Sequence, residues 1–126
     1  MIKNILLVED ERPLRQALNK KLTASGFSVF EAGNGEEGLS ILAGEKIDLI
    51  LLDIIMPVMD GVGMLKEMRK NRKYDKIKII ILTNLTEYSS DHEVLKPHQK
   101  NYLIKSNYSL NDIIKKIKKI NKEDPV

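Results

Sequence analysis

Cysteine is absent from the 126 residues of this chain. Its absence excludes disulfide staples and thiolate chemistry and is compatible with a reducing compartment. No apolar run approaches the ~20 residues needed to cross a bilayer. No secretory leader opens the sequence either, and Met-Ile-Lys-Asn-Ile-Leu-Leu-Val reads simply as a strand. A cytoplasmic protein with no membrane partner is the expectation. Internal repeats, low-complexity tracts and linkers are also missing. The length therefore reads as one domain over 1–121 with a short tail at 122–126 and no output domain. A domain of this size buries a core without metal or disulfide support. The charge surplus is small, Lys+Arg 21 against Asp+Glu 18 for a net +3. Much of it falls on Lys115, Lys116, Lys118, Lys119 and Lys122, on the outer side of a predicted last helix. A solvated face accounts for it better than nucleic acid does, and no helix-turn-helix is present, so no direct nucleic-acid binding is expected.

What the chain does have is centred on Asp48 to Gly61, DLILLDIIMPVMDG. An apolar run of this length reads as a strand buried on both faces, as in a parallel sheet covered by helices. It ends on a carboxylate, Asp53, at the edge where open α/β folds place their ligands.

Before it, Lys3 to Val8 is an apolar run closed by Glu9-Asp10-Glu11, and Pro13 suits the first turn of a helix. Leu14, Ala17, Leu18 and Leu22 fall on one face of that helix, and Gly26 is a plausible stop. Phe27 to Ala32 reads as a second strand. Asn34 caps the next helix with Glu37 completing a capping box, Leu39 and Leu42 face inward, and Gly44 ends it. Gly38 inside that helix costs up to ~1 kcal/mol relative to Ala. Beyond Gly61, Met64, Leu65 and Met68 give a helical face through about Lys70, and Ile77 to Leu82 is a fourth strand ending at Thr83. Val94 and Leu95 fit a helix that Pro97 must end or distort. Tyr102 to Ile104 is a fifth strand ending at Lys105, and Ser109 with Asp112 starts a last helix whose Ile113, Ile114, Ile117 and Ile120 pack inward. Strands alternating with helices predict an α/β parallel sheet covered on both faces.

Polar residues stand at four strand ends: Glu9 and Asp10, Asp53, Thr83, and Lys105. In the flavodoxin-like doubly wound (βα)5 order 2-1-3-4-5, the first and third strands are neighbours, and Glu9, Asp10 and Asp53 converge. Like charges ~4 Å apart repel by about 4 kcal/mol at an effective dielectric near 20, so a cation belongs among them. Mg²⁺ fits a site of carboxylate oxygens. Three acids, one Mg²⁺ and Lys105 balance to zero and can recruit a phosphoryl anion. Asp53 is then the nucleophile, with Lys105 and the Thr83 hydroxyl on the phosphoryl group.

At these positions the chain resembles the receiver domain of two-component response regulators, in the superfamily of the chemotaxis response regulators, from about Ile2 to Ile120. The matching residues are Leu7-Val8-Glu9-Asp10-Glu11, Asn34-Gly35-Glu36-Glu37, Asp48-Leu49 through Asp53, Met56-Pro57-Val58-Met59-Asp60-Gly61, Leu82-Thr83 and Tyr102-Leu103-Ile104-Lys105. The resemblance implies that Asp53 accepts a phosphoryl group from a sensor histidine kinase or a histidine phosphotransfer protein. It implies that Glu9, Asp10, Asp53 and the backbone carbonyl of Ile55 hold Mg²⁺ (or Mn²⁺), and that Thr83 and Lys105 bind the phosphoryl group. Thr83 and Tyr102 would shift together, changing the surface of the fourth helix, fifth strand and last helix seen by a downstream protein target. Asn84, Leu85 and Met56 are the expected neighbours of the phosphoryl site. The implied protein is a signalling switch, monomeric or dimerising on phosphorylation, and no enzyme beyond self-phosphorylation and autodephosphorylation.

The chain departs from the family where Ser106 follows Lys105 in place of proline, and at Lys96-Pro97-His98-Gln99-Lys100-Asn101. His92 and His98 read as surface residues rather than phosphodonors. Two rival readings are a Mg²⁺-dependent aspartyl phosphohydrolase and a non-phosphorylated interaction module. The first wants an acid two residues after the nucleophile, where Ile55 stands, and the second typically lacks the acids that are present here.

Overall fold

The computed structural model describes residues 1–83, 93–105 and 109–123. Asn84, Leu85, His92 and Ser106, singled out above, lie outside the described residues. Five strands, β1 (Asn4–Val8), β2 (Ser28–Ala32), β3 (Leu49–Asp53), β4 (Lys78–Thr83) and β5 (Tyr102–Ile104), form one parallel sheet of order 2-1-3-4-5. The described helices are α1 (Arg12–Ala24), α2 (Gly35–Gly44), α3 (Gly61–Arg69) and α4 (Leu110–Glu123). Short 3₁₀ segments lie at Arg72–Tyr74 and Lys96–Asn101. Among the described residues no helix is long and apolar enough to cross a membrane.

The two-residue period of the strands divides the core in two. Leu6, Val8, Ile50, Leu52, Ile79 and Ile81 pack with α2 and α3. Ile5, Leu7, Leu49, Leu51, Ile80 and Leu82 pack with α1 and α4. Every residue of β3 is buried, as a central parallel strand with both faces covered must be.

Local signals set the helix ends. Asn34 Oδ1 accepts from Glu37 N at 2.9 Å. The Glu37 carboxylate reaches one residue further back than a capping box requires, to Gly33 N at 2.8 Å. Ser109 and Asp112 exchange bonds at the start of α4. Gly38 is there for contact: a Cβ would stand 2.9 Å from Met64 Cε, so α2 and α3 close tightly over β1. Ala17, expected inside, is exposed, because the Leu14–Leu18–Leu22 stripe already spans the width that α1 buries. The stretch holding Val94 and Leu95 is a turn leading into the 3₁₀ segment that contains Pro97, and both side chains are buried.

Between β3 and α3, Val58 has φ 67°, the one positive φ outside glycine among the described residues. Met59 N donates to Pro57 O at 2.8 Å, closing a three-residue γ-turn around it. A β-branched side chain in this region is strained by about 1–2 kcal/mol.

Candidate functional site

Strand register assembles the site. Val8 pairs with Leu52, so Glu9 and Asp53 follow at the same level on neighbouring strands. Asp53 pairs with Leu82 and Thr83 with Ile104, which brings Thr83 and then Lys105 to the same edge. Lys105 N donates to Thr83 O at 2.9 Å, fixing where the lysine leaves β5.

Asp53 is 2% exposed and Glu9 is fully buried. Lys105 Nζ lies 3.1 Å from Asp53 Oδ2, 3.1 Å from Glu9 Oε1 and 3.2 Å from Glu11 Oε1. The contact to Glu9 is an ion pair out of line for a hydrogen bond, so Glu9 Oε1 has no hydrogen-bond partner among the described residues. Asp53 Oδ1 accepts from Ile55 N at 3.3 Å, and Glu9 Oε2 from Glu11 N at 3.2 Å. The buried Thr83 hydroxyl is likewise unpartnered among the described residues. Buried polar atoms left this way cost free energy unless something else completes them.

Burial pushes the Glu9 carboxyl up to about 8, with the facing Asp53 carboxylate adding to it and the Glu11 amide and Lys105 opposing. For Lys105, burial disfavours the ammonium most, but Asp53 and Glu9 together outweigh it and hold the lysine above its usual range. One cation thus serves two buried acids and an exposed one.

Oxygen atoms of Glu9, Asp10 and Asp53 lie within 4.8 Å of one another. Hard carboxylate donors, one of them unsatisfied, suit a divalent cation such as Mg²⁺. The acids at the ends of β1 and β3 and Lys105 after β5 therefore gather as the sequence pattern requires. Ile55 is 43% exposed beside Asp53. Met56, expected to border the phosphoryl site, sends its side chain into the core between the sheet and α3. Tyr102 is half-buried against that same cluster and donates its hydroxyl to Leu95 O at 3.2 Å; burial raises its pKa.

Two participants escape a reading of the sequence. Glu11 joins Lys105, and the run Glu9-Asp10-Glu11 was its only signal. Arg15 donates from Nη1 to Glu9 O and from Nε to Glu31, both at 2.8 Å, tying the acidic loop to α1 and β2. Only its position one helical turn after Glu11 hints at this.

A family model, the response regulator receiver domain, matches residues 5–118. The probable transcriptional regulator ycf27 of Cyanidium caldarium is 42% identical over 103 residues, 75% of this chain and 40% of that protein. The chain spans about two fifths of the length of the curated relatives it matches. Among solved structures, the response regulator TrrA of Thermotoga maritima, in complex with Mg²⁺-BeF, is 35% identical. Its TM-score is 0.80, covering 94% of this chain and 98% of that one. The chemotaxis response regulator CheY4 of Vibrio cholerae is 26% identical with a TM-score of 0.82, covering 95% and 99%.

Proposed function

The chain belongs to the response regulator receiver family, and on that premise we propose that Asp53 is its phosphoacceptor. One observation carries this reading: a buried carboxylate held between a lysine ammonium at 3.1 Å and a second buried acid. An Asp53 oxygen attacks the phosphorus of a phosphohistidine on a sensor kinase or phosphotransfer protein. The O–P bond forms as the P–N bond breaks, and the imidazole nitrogen leaves with the electron pair and takes up a proton. Lys105 Nζ, already at Asp53 Oδ2, transfers its bond to a phosphoryl oxygen. The Thr83 hydroxyl, lacking a partner among the described residues, donates to another. Glu9, Asp10, Asp53 and the Ile55 carbonyl are the proposed ligands of Mg²⁺ (or Mn²⁺), which when bound neutralises charge on the carboxylates and the phosphoryl oxygens. A cation held there would favour the ionised form of Glu9.

Phosphorylation adds roughly 1.5 to 2 negative charges and three acceptor oxygens at Asp53. Drawing Thr83 toward them vacates space behind it, and Tyr102 repacks, giving up its bond to Leu95. Two packings separated by a few kcal/mol are all that this requires. The changed face around β5 and α4 is read by a downstream protein, or by a second copy in a phosphorylation-dependent dimer. Catalysis is confined to gaining and losing the chain's own phosphate, in the cytoplasm.

Incubation with acetyl phosphate and Mg²⁺, followed by intact mass, tests the reading. A single phosphate adduct that disappears in Asp53→Asn supports it. Steady turnover of phosphomonoesters without an adduct, or no adduct at all, overturns it.

A further inference from the structure

All five strands run the same way, so the sheet has a second pole, opposite Asp53, where β1, β3 and β4 begin. Backbone bonds fix that edge: Asp48 N donates to Asn4 O at 2.9 Å, and Lys78 N to Asp48 O at 3.1 Å. A cavity of about 1170 Å³ opens there. Its floor is aliphatic, made of Ile2, Leu42, Ile47 and Ile120, each almost wholly buried. Its walls are basic. Exposed Lys3 and Lys46 stand where β1 and β3 begin, and exposed Lys73 and Lys76 stand before β4. Three acids also line the cavity, but two of them are committed elsewhere. Asp48 Oδ2 accepts from Lys3 N at 3.0 Å and from Asn4 N at 2.9 Å, and Asp75 faces Arg72 at 4.0 Å. Glu45 alone is left. Lys3, Lys46 and Lys76 have no ion pair among the described residues, and Lys73 Nζ lies 5.2 Å from the centre of the Tyr74 ring. Uncompensated charges of one sign around a concave, low-dielectric wall focus their field into it.

We propose that this cavity docks an acidic segment of a partner protein, with apolar side chains on the aliphatic floor and carboxylates against Lys3, Lys46, Lys73 and Lys76. The two surfaces together choose the occupant. Small-molecule sites span ~300–1,000 Å³, and a small anion here would engage the lysines and leave the floor wet. Nucleic acid matches the lysines but offers the floor no aliphatic side chain. Single strands bind by stacking on aromatic rings, and the one ring in the lining, Tyr74, is already covered by Lys73. An acidic segment with one apolar face satisfies both. The cavity and Asp53 stand at opposite poles of the sheet, so the segment holds the chain without competing for Asp53.

Fluorescence anisotropy tests this with labelled peptides of about 12 residues that combine Glu and Leu at helical or at strand spacing. Expected for at least one spacing is a Kd of about 100 μM or tighter, weakened about tenfold between about 0.05 and about 0.5 M salt. Replacing the peptide's Leu by Ser should weaken it about tenfold again. Both of these readouts use the wild-type chain. The double variant Lys46→Glu/Lys76→Glu should lose about tenfold, and Lys46→Arg/Lys76→Arg should bind as wild type. Lys115→Glu/Lys118→Glu changes the net charge equally on α4 and should lose less than about twofold. Asp53→Asn should bind as wild type. No peptide bound below about 1 mM, equal losses in the two charge-reversed variants, or no loss on replacing Leu overturns the docking site. So does an oligothymidylate that binds more tightly than every peptide.

Discussion

On one flank of the acidic pocket β3 is buried along its whole length, and the acidic loop after β1 is tied down by Arg15. On the other, β5 contributes three half-buried residues, and the chain before it is a 3₁₀ turn rather than an α-helix among the described residues. Glu9, Asp10 and Asp53 belong to the first flank and Tyr102 and Lys105 to the second, with the buried Thr83 of β4 between them. The acids proposed to hold a cation stand on the denser flank, and Tyr102, the proposed mover, stands where local opening costs less.

Cutting into each flank in turn should expose that difference. In Leu51→Ala, a fully buried β3 side chain is lost and urea unfolding should give a deficit of about 4 kcal/mol. Leu103→Ala, in half-buried β5, should lose less than half as much in the same titration. Parity between the two would erase the contrast.

Next in size is the pH response of the ion-free protein. Glu9 has its folded pKa raised from 4.5 to about 8, so the folded state binds the proton more tightly than the unfolded chain. Its stabilisation is full below the unfolded value, is lost progressively as pH rises and is gone above about 8. Melting temperatures in chelator should fall across that window, and both saturating Mg²⁺ and Glu9→Gln should flatten the slope. A flat profile in the wild type would mean that burial does not raise the Glu9 carboxyl.

Arg15→Ala should weaken Mg²⁺ binding by about tenfold in calorimetry, because the peptide carrying Glu9 loses its outer support. Smallest is Tyr102→Phe, which removes one half-buried hydrogen bond to Leu95 and should cost about 1 kcal/mol. Loading by acetyl phosphate should be unaffected by it; a large loss would place Tyr102 on the chemical flank instead.

The rigid flank was also the more legible in the sequence. A continuous apolar run ending in Asp53 carries its burial and its edge position in its own composition, and Asn34 with Glu37 announces a helix start through side-chain chemistry. The Arg15 contact left no such trace, because its acceptor is a backbone carbonyl that every residue possesses. Val58 was hidden for the opposite reason: a left-handed position is normally advertised by glycine or asparagine, and here neither occupies it. Met56, expected beside the phosphoryl site, is packed into the core while Ile55 and Pro57 on either side of it are exposed, a difference that their adjacency in sequence does not announce. The Lys96–Asn101 turn was legible only as a departure, since Pro97 says where an α-helix stops and not what replaces it.

A Cβ at residue 61 would come within 2.6 Å of Asp53 O, and the Gly61 amide already grips Ile54 O. The start of α3 is thereby bolted to the acceptor's own peptide, and Gly38 clamps α2 onto α3 from the other side. With those joints closed, the proposed response to phosphorylation at Asp53 meets no slack in that direction and is left to run through Thr83 toward the thin edge of the sheet.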